Sequence, residues 1–439
     1  MRELCFRPNH GVFLITSHTP TRTRLWLTSP HFYPTYGGAQ NRYRSYIPGF
    51  LQRTLDVRVL TGTPQIEERS EADTSIDWYD AAPGSWLPET VLDGAPLERI
   101  RLPDSKNRVR TQIYYDALLE VCQRPTDGPV VAQLLTNMRP QALPWLRRLR
   151  KSGVATVYSV SQFPTWHQKP TKRIFRRYGY RKVYNAFDAL VTNSEAIQQF
   201  LRSIGVTTRI EYIPNGVNLQ RFHPARTEQE HQDRQALRAR FRIPAQHNVI
   251  AVVGAIMPRK GPDIVLRAWR HILSEHPDTH VLFVGPRADT HDPKLKKFGA
   301  DVAELVASSG AENQVHFAGI VNDVENYLRA ADFLILASSR EGTPNSVLEA
   351  MATGLPCLVT PYLGISAGIG EAGKHYQLVD RNDEAIAAAL KGLLENAAQA
   401  SALADAGQRF VVEHFDQQLS LDRYAALYEE LAAAASRKH

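Results

Sequence analysis

Cysteine is scarce in this chain. Cys5, Cys122 and Cys357 are the only three in 439 residues; they are odd in number, widely spaced and form no Cys-x-x-Cys. That usage excludes a disulfide framework and a cysteine zinc site, and it fits a reducing cytoplasm. Long apolar runs are also missing. Nothing approaches the ~18 consecutive apolar residues of a membrane span, and the stretch 11–15 is too short for a signal-peptide core, so any membrane contact is expected to be peripheral. Acids are outnumbered, with 52 Lys and Arg against 45 Asp and Glu and a net charge of +7. Such an excess favours phosphate-rich ligands or an anionic surface, and it also serves solubility alone. No nucleic-acid motif accompanies it, and no repeat of solenoid period is present.

What is there is alternation. The chain is too long for one ordinary core at ~100–200 residues per domain, which predicts two or three domains. With 43% hydrophobic and 22% charged residues it has the composition of a globular protein. Apolar runs at 24–29, 57–60, 130–135, 155–160 and 189–192 read as buried strands, with helical stretches such as 142–151 between them. The pattern pauses in the polar stretch 223–247, which marks a domain boundary. It restarts at 249–254, 280–285, 315–317, 333–336 and 356–359. Strands alternating with helices imply two α/β domains, each a doubly wound parallel sheet covered on both faces. Leu421, Tyr424, Leu427 and Leu431 lie at helical spacing and predict a closing amphipathic helix. Residues 1–22 show no period and read as an N-terminal extension without an assigned function.

Ligands of open parallel sheets bind beyond the carboxyl ends of the strands. The loop after 333–336 holds Ser338, Ser339, Glu341 and Gly342. Pro344 suits a first helical turn, having no N–H to leave unsatisfied, so a helix starting there aims the amides of Asn345, Ser346 and Val347 into the cleft. Free amides and the helix dipole together attract phosphate. Glu349 then lies about one turn inside the helix, where a carboxylate takes two vicinal hydroxyls of a ribose. Glu341 precedes the helix, where it meets a transferred sugar. In isolation the two would read as a solvated loop acid and a first-turn acid favoured by the dipole.

Pro258, Arg259, Lys260 and Gly261 follow the strand ending at Gly254 and bring cations to the same cleft. Lys260 there neutralises charge on a leaving diphosphate; a surface turn is the plain alternative. Gly37 and Gly38, in the first half, either admit a phosphate or sugar close to the backbone or make a tight turn. The run Ile213-Pro214-Asn215-Gly216-Val217-Asn218 reads by itself as a turn.

Taken together and in this order, these segments resemble the retaining GT-B glycosyltransferases of family 4, also called glycosyl transferases group 1. The resemblance is carried by Phe32-Tyr33-Pro34 with Gly37 and Gly38, by the 213–218 run with Arg221 and Phe222, by 258–261, and by Glu341 to Glu349 with the following Ala350-Met351-Ala352-Thr353-Gly354-Leu355-Pro356. It extends from residue 24 to the C-terminus and is weakest between 62 and 150. It implies a GT-B fold of two Rossmann-like lobes facing across a cleft: an acceptor-side lobe at 23–222, a linker at 223–245, a nucleotide-sugar lobe at 246–415 and a final helix at 416–439 that crosses back. Glu349 would bind the ribose, Glu341 the donor sugar and Lys260 the diphosphate, with Glu341 and Lys260 as the catalytic pair. Gly38, Arg259, Gly342, Pro344, Asn345, Ser346 and Val347 complete the donor site, Ile320 and Val321 lie near the base, and Gly37 and Ser161 face the acceptor or donor sugar. No cofactor and no metal are implied, and the chain has no Asp-x-Asp to bind one. Two positions depart from the family pattern. Ala255 stands where members commonly have an arginine beside the diphosphate, which leaves Arg259 as the substitute charge. Ser161 stands where many members place the histidine of a His-Asp pair.

The implied activity is metal-independent transfer of a hexose or related sugar from a UDP- or GDP-sugar to a glycan, lipid-linked or polysaccharide acceptor, with anomeric configuration kept. A GT-B epimerase or phosphorylase is the runner-up among enzymes. A binding or scaffold component of a glycan assembly pathway is the alternative that Ala255 and Ser161 suggest. Lys169, Lys172, Arg173, Arg176, Arg177, Arg181 and Lys182 are interleaved with Ile174, Phe175, Tyr178 and Tyr180 without one acid. They read as a helix docked on the anionic inner face of the cell membrane, or as a solvated helix face.

Overall fold

Both halves of the chain form parallel sheets, and the reason lies in how their strands are buried. The computed structural model describes residues 22–33, 38–64, 78–104, 108–135, 138, 140–163, 170–287, 292–362, 365 and 368–437. Residues 1–21, Gly37 and Lys169, which the sequence reading named, lie outside these, as do the side chains of Lys172, Arg173 and Arg176.

The first sheet contains β1 (Thr23–Ser29), β2 (Leu55–Gly62), β3 (Thr90–Leu92), β4 (Ala95–Ile100), β5 (Val130–Leu134), β6 (Ala155–Val160), β7 (Ala189–Thr192) and β8 (Arg209–Tyr212). Its order is β3-β4-β2-β1-β5-β6-β7-β8, parallel except for the β3–β4 hairpin. The second contains β9 (Asn248–Val253), β10 (Thr279–Val284), β11 (Val315–Gly319), β12 (Phe333–Leu336), β13 (Cys357–Val359) and β14 (Gln377–Leu378), in the order β11-β10-β9-β12-β13-β14 and parallel throughout. Central strands such as β5, β6, β10 and β12 are buried along their whole length, as helices on both faces require. In the second sheet the order reverses between β9 and β12, which opens a crevice at their carboxyl ends.

The helices are α1 (Gly38–Leu51), α2 (Arg108–Gln123), α3 (Leu143–Lys151), α4 (Pro170–Tyr184), α5 (Glu195–Ser203), α6 (Glu228–Arg240), α7 (Pro262–Ile272), α8 (Pro293–Ala307), α9 (Val324–Ala330), α10 (Asn345–Ala352), α11 (Asp383–Glu395), α12 (Ala397–His414) and α13 (Gln417–Ser436). Helix α6 forms in the polar stretch where no apolar period announced it. Thr227 caps its start, accepting from the Glu230 amide while the Glu230 carboxylate accepts from the Thr227 amide. Its inner face is ionic: Arg234 and Arg238 reach Asp332 at 2.7 and 2.6 Å, and Asp332 also accepts the Val249 amide at the start of β9.

Helix α13 follows the second sheet but packs on the first. Leu421, Tyr424, Leu427, Tyr428 and Leu431 join one apolar cluster with Tyr43, Tyr46 and Phe50 of α1. Where the chain crosses between lobes, segments 217 and 415–417 pair by backbone hydrogen bonds of 2.7 and 2.9 Å. Among the described residues no helix is long and apolar enough to cross a membrane.

Candidate functional site

The crevice at the β9–β12 reversal is built by two loops, 254–261 and 337–344. They are tied at their backbones, with the Ser339 amide donating to the Arg259 carbonyl at 2.9 Å. Gly261 makes this approach feasible. It sits in the left-handed region at φ 66°, and a Cβ there would lie 2.5 Å from the Ala337 carbonyl oxygen. The 3-10 turn Pro258–Lys260 projects both cations toward Glu341: Lys260 Nζ is 2.8 Å and Arg259 Nη1 3.2 Å from the same oxygen, Oε1. Ser338 Oγ donates to that oxygen as well, at 2.6 Å. A small cavity beneath them is lined by Gly254, Ala255, Ile256 and Lys260 together with Phe283 and Leu336.

Beyond Glu341 the chain turns into α10. Pro344 is not in the first turn, as its chemistry suggested, but caps the helix with an extended backbone, and the helix begins at Asn345. Val347 also departs from the expectation. Its N–H donates to the Pro344 carbonyl at 3.1 Å and its side chain is core, so Asn345 and Ser346 carry the free amides of the helix start. Glu349, one turn on, is half-buried, and its carboxylate has no hydrogen-bond partner among the described residues. Burial pushes this carboxyl up to about 7; Arg221 pulls against that shift and Glu325 adds to it. Arg221 is held by Glu325 at 2.7 Å and by the Asn322 carbonyl at 3.0 Å. Just before Asn322, Ile320 is 61% exposed and Val321 half-buried, both at the carboxyl end of β11.

The first lobe closes over this crevice. Gly342 abuts Ser161, whose carbonyl oxygen would stand 2.2 Å from a Cβ at 342. Thr343 Oγ1 donates to the Asn193 carbonyl, and the buried Asn193 Oδ1 beside Gly342 is left without a partner. Gly38 starts α1 with open space where its side chain would be. Glu341, Gly342, Lys260, Arg259 and Ser161 therefore share one place, with Asn345 and Ser346 beside them. Ile320 and Val321 directly follow β11, the strand two removed from β9.

Sequence reasoning missed Arg42. It is 6% exposed on α1 and donates to Asn215 Oδ1 and, at 3.1 Å, to Ser161 Oγ. Asn215 Nδ2 in turn donates to Asn345 Oδ1 at 2.5 Å. The signal available was a cation one turn into the helix after Gly38. Among the described residues, His271, Asp383 and Glu384 have metal-ligand spacing, but they lie at the surface, with His271 near the far end of α7 from the crevice. The basic helix α4 exposes Arg177, Arg181 and Lys182, and Tyr178 is 50% exposed with Lys182 Nζ 4.5 Å from its ring.

Two family models match the chain: a glycosyl transferase 4-like domain over residues 37–216 and glycosyl transferases group 1 over 233–410. A D-inositol 3-phosphate glycosyltransferase of Kineococcus radiotolerans is 31% identical over 245 residues, which is 51% of this chain and 53% of that protein. A GDP-mannose-dependent monoacylated alpha-(1-6)-phosphatidylinositol monomannoside mannosyltransferase of Corynebacterium glutamicum is 30% identical over 203 residues, 44% of this chain and 49% of the other. The chain thus spans about half the length of the curated relatives it matches. Sucrose-phosphate synthase from Thermosynechococcus elongatus superposes with a TM-score of 0.73 at 18% identity, covering 94% of this chain and all (100%) of that one. Anabaena HepE in complex with UDP and glucose gives 0.69 at 16% identity, covering 93% and 99%. At such identities the likeness carries the fold, two parallel-sheet lobes facing across a cleft.

Proposed function

Because the chain belongs to the glycosyl transferases group 1, with the GT-B fold, we propose that it transfers a hexose or related sugar from a UDP- or GDP-sugar to a glycan, lipid-linked or polysaccharide acceptor, with retention of configuration. One observation carries the reading: the cations Lys260 and Arg259 meet at Glu341 Oε1, a few residues ahead of the α10 start with its free amides at Asn345 and Ser346, and Glu349 lies one turn further on. That arrangement suits a diphosphate between a sugar and a ribose.

In this proposal the first lobe, 23–222, carries the acceptor, and 223–245 links it to the donor lobe, 246–415, from which 416–439 crosses back. Glu349 accepts the ribose hydroxyls. Glu341 orients the transferred sugar, and Lys260 with Arg259 stabilises the charge that builds on the leaving diphosphate. Ile320 and Val321 flank the base, while Gly38 and Ser161 border the sugar from the first lobe. The leaving phosphate, on the face where the acceptor attacks, takes the acceptor proton. Fixed cations do the work that a divalent ion does elsewhere, so turnover is expected to be unchanged by EDTA. The Corynebacterium glutamicum relative, whose name carries a phosphatidylinositol substrate, and the exposed cations of α4 support a surface for anionic headgroups.

The test is a panel of UDP- and GDP-sugars followed by titration and product analysis. One donor should bind and turn over, Glu349→Ala should weaken its binding, and Glu341→Ala should mainly slow turnover. Failure of every donor to bind at millimolar concentration sinks the reading. For the membrane surface, reversing charge at Arg177 and Arg181 should abolish binding to vesicles containing anionic lipid; unchanged binding removes that role.

A further inference from the structure

The guanidinium of Arg42 is buried with no acid against it among the described residues. Nη1 donates to Asn215 Oδ1, Nη2 to Ser159 Oγ at 3.4 Å and Ser161 Oγ at 3.1 Å, and the cation sits 4.9 Å from the Tyr43 ring centre. Every one of these partners is neutral, and the buried Nε has none. By comparison Arg238, just as deeply buried, is neutralised by Asp332 at 2.6 Å. Taking a charge out of water is costly unless a counter-charge and full hydrogen bonding replace the solvent. In Arg42 both are incomplete.

Its place says what is missing. Through Ser161 it is one side chain from Gly342, and through Asn215 one side chain from Asn345, so it lies behind the first-lobe wall of the space between Glu341 and α10. The diphosphate of the proposed donor is already served from the second lobe, by Lys260, Arg259 and the α10 amides. Arg42 approaches from the other lobe, on the sugar side. Its vacant Nε and weakly engaged Nη2 form the edge of a guanidinium that takes a carboxylate with two parallel hydrogen bonds.

We propose that Arg42 is the specificity residue for a sugar carboxylate: the substrate that completes this site is a hexuronate, supplied either as the transferred sugar or as the acceptor residue. Parting of 342–345 from Ser161 and Asn193 uncovers the guanidinium for it. This rests on the donor reading above.

The probes are UDP-glucose against UDP-glucuronate as donors, methyl glucuronide against methyl glucoside as acceptors, and UDP alone, with the guanosine counterparts if GDP is the nucleotide bound. The uronate member of one pair should be favoured at least about tenfold in kcat/KM. Arg42→Gln should bring that preference to within about twofold while leaving the Kd for the bare nucleoside diphosphate unchanged. Arg42→Lys, which keeps the charge but not the fork, should retain part of it. Wild-type indifference to the carboxylate in both pairs overturns the proposal without any variant, so misfolding of Arg42→Gln cannot shelter it. Weakened binding of bare UDP or GDP by Arg42→Gln also overturns it, since the residue then serves the diphosphate. If neither nucleotide binds the wild type, the donor reading falls and this inference falls with it.

Discussion

Lys260 and Glu341 form an ion pair, 2.8 Å from Nζ to Oε1, at the point where the donor diphosphate is proposed to lie. Arg259 and Ser338 converge on the same oxygen. A carboxylate of the protein thus pairs with the cations that a phosphate needs. Binding must exchange one anion for the other. Glu341→Gln removes the competitor while keeping its shape, so affinity for UDP or GDP alone should rise about threefold to tenfold as turnover falls about a hundredfold. Calorimetric titration beside steady-state kinetics reads both. Weaker nucleotide binding in Glu341→Gln would mean that the acid organises the cations rather than competing for them.

Glu349 gives a second, pH-resolved expectation. Burial raises its carboxyl from 4.5 to about 7 in the folded chain. Between those values the native state holds a proton that the unfolded state has lost, so stability falls as pH rises through the window and stays lowered above it. Glu349→Gln should therefore match the wild type at about pH 4.5 and exceed it at about pH 8, by up to about 3 kcal/mol. In the proposed site ribose hydroxyls donate to the ionised form, so nucleotide affinity of the wild type should increase with pH up to neutrality. Melting curves at the two pH values check the first half. A variant no more stable than wild type at the higher pH contradicts it.

The sequence was most legible where burial is simple. The runs at 155–160 and 189–192 are β6 and β7 residue for residue, because strands buried on both faces read as near-continuous apolar runs, interrupted here by Thr156, Ser159 and Thr192. Strand β4 escaped notice because it carries Glu98 and Arg99 into the interior, where Arg124 at 2.6 Å and the carbonyls of Tyr33 and Gly62 satisfy them. Helix α6 escaped because arginines on Asp332 replace an apolar stripe. At the site, Glu341, Lys260 and Gly342 stood out as candidates only once their loops were taken together with the family resemblance; each loop alone read as an ordinary turn or helix start. Arg42 was not, since it joins them only through Asn215 and Ser161, more than a hundred residues away (173 and 119). Local spacing encodes loops; contacts between lobes have no local signature.

Three imidazoles run across the amino-terminal edge of the second sheet. His247 Nδ1 lies 2.9 Å from His280 Nε2, and His280 Nδ1 3.0 Å from His316 Nε2. One proton per ring is enough to satisfy both bonds, so the chain needs no charge to be complete. Burial, then the neighbouring His316, His247 and Arg238, press His280 down from 6.5 to about 4, against a weaker pull from Asp278. Here the unfolded state binds the extra proton. Stability is full above 6.5 and is lost as pH falls toward 4. His280→Phe keeps the ring and drops the charge, so it should lose about 2–3 kcal/mol less than the wild type over that interval. Denaturant unfolding at both ends measures the difference; parallel losses in the two proteins would show that the acid sensitivity arises elsewhere.

Gly342 tests whether closure of the lobes matters to turnover. A Cβ there would stand 2.2 Å from the Ser161 carbonyl oxygen, a backbone atom that cannot swing aside as a flexible side chain could. The contact lies between lobes, so Gly342→Ala can relieve it by parting them rather than by disturbing either core. The variant should melt within about 3 °C of the wild type. Its kcat/KM should fall about tenfold to a hundredfold, because Glu341 and the first-lobe groups no longer meet across one sugar. In the proposed site the nucleotide is held mainly by the second lobe, so its binding should change by no more than about threefold. Kinetics, thermal melting and nucleotide titration on the same preparation separate these effects. A large fall in melting temperature with normal turnover by the folded fraction would instead assign Gly342 to stability.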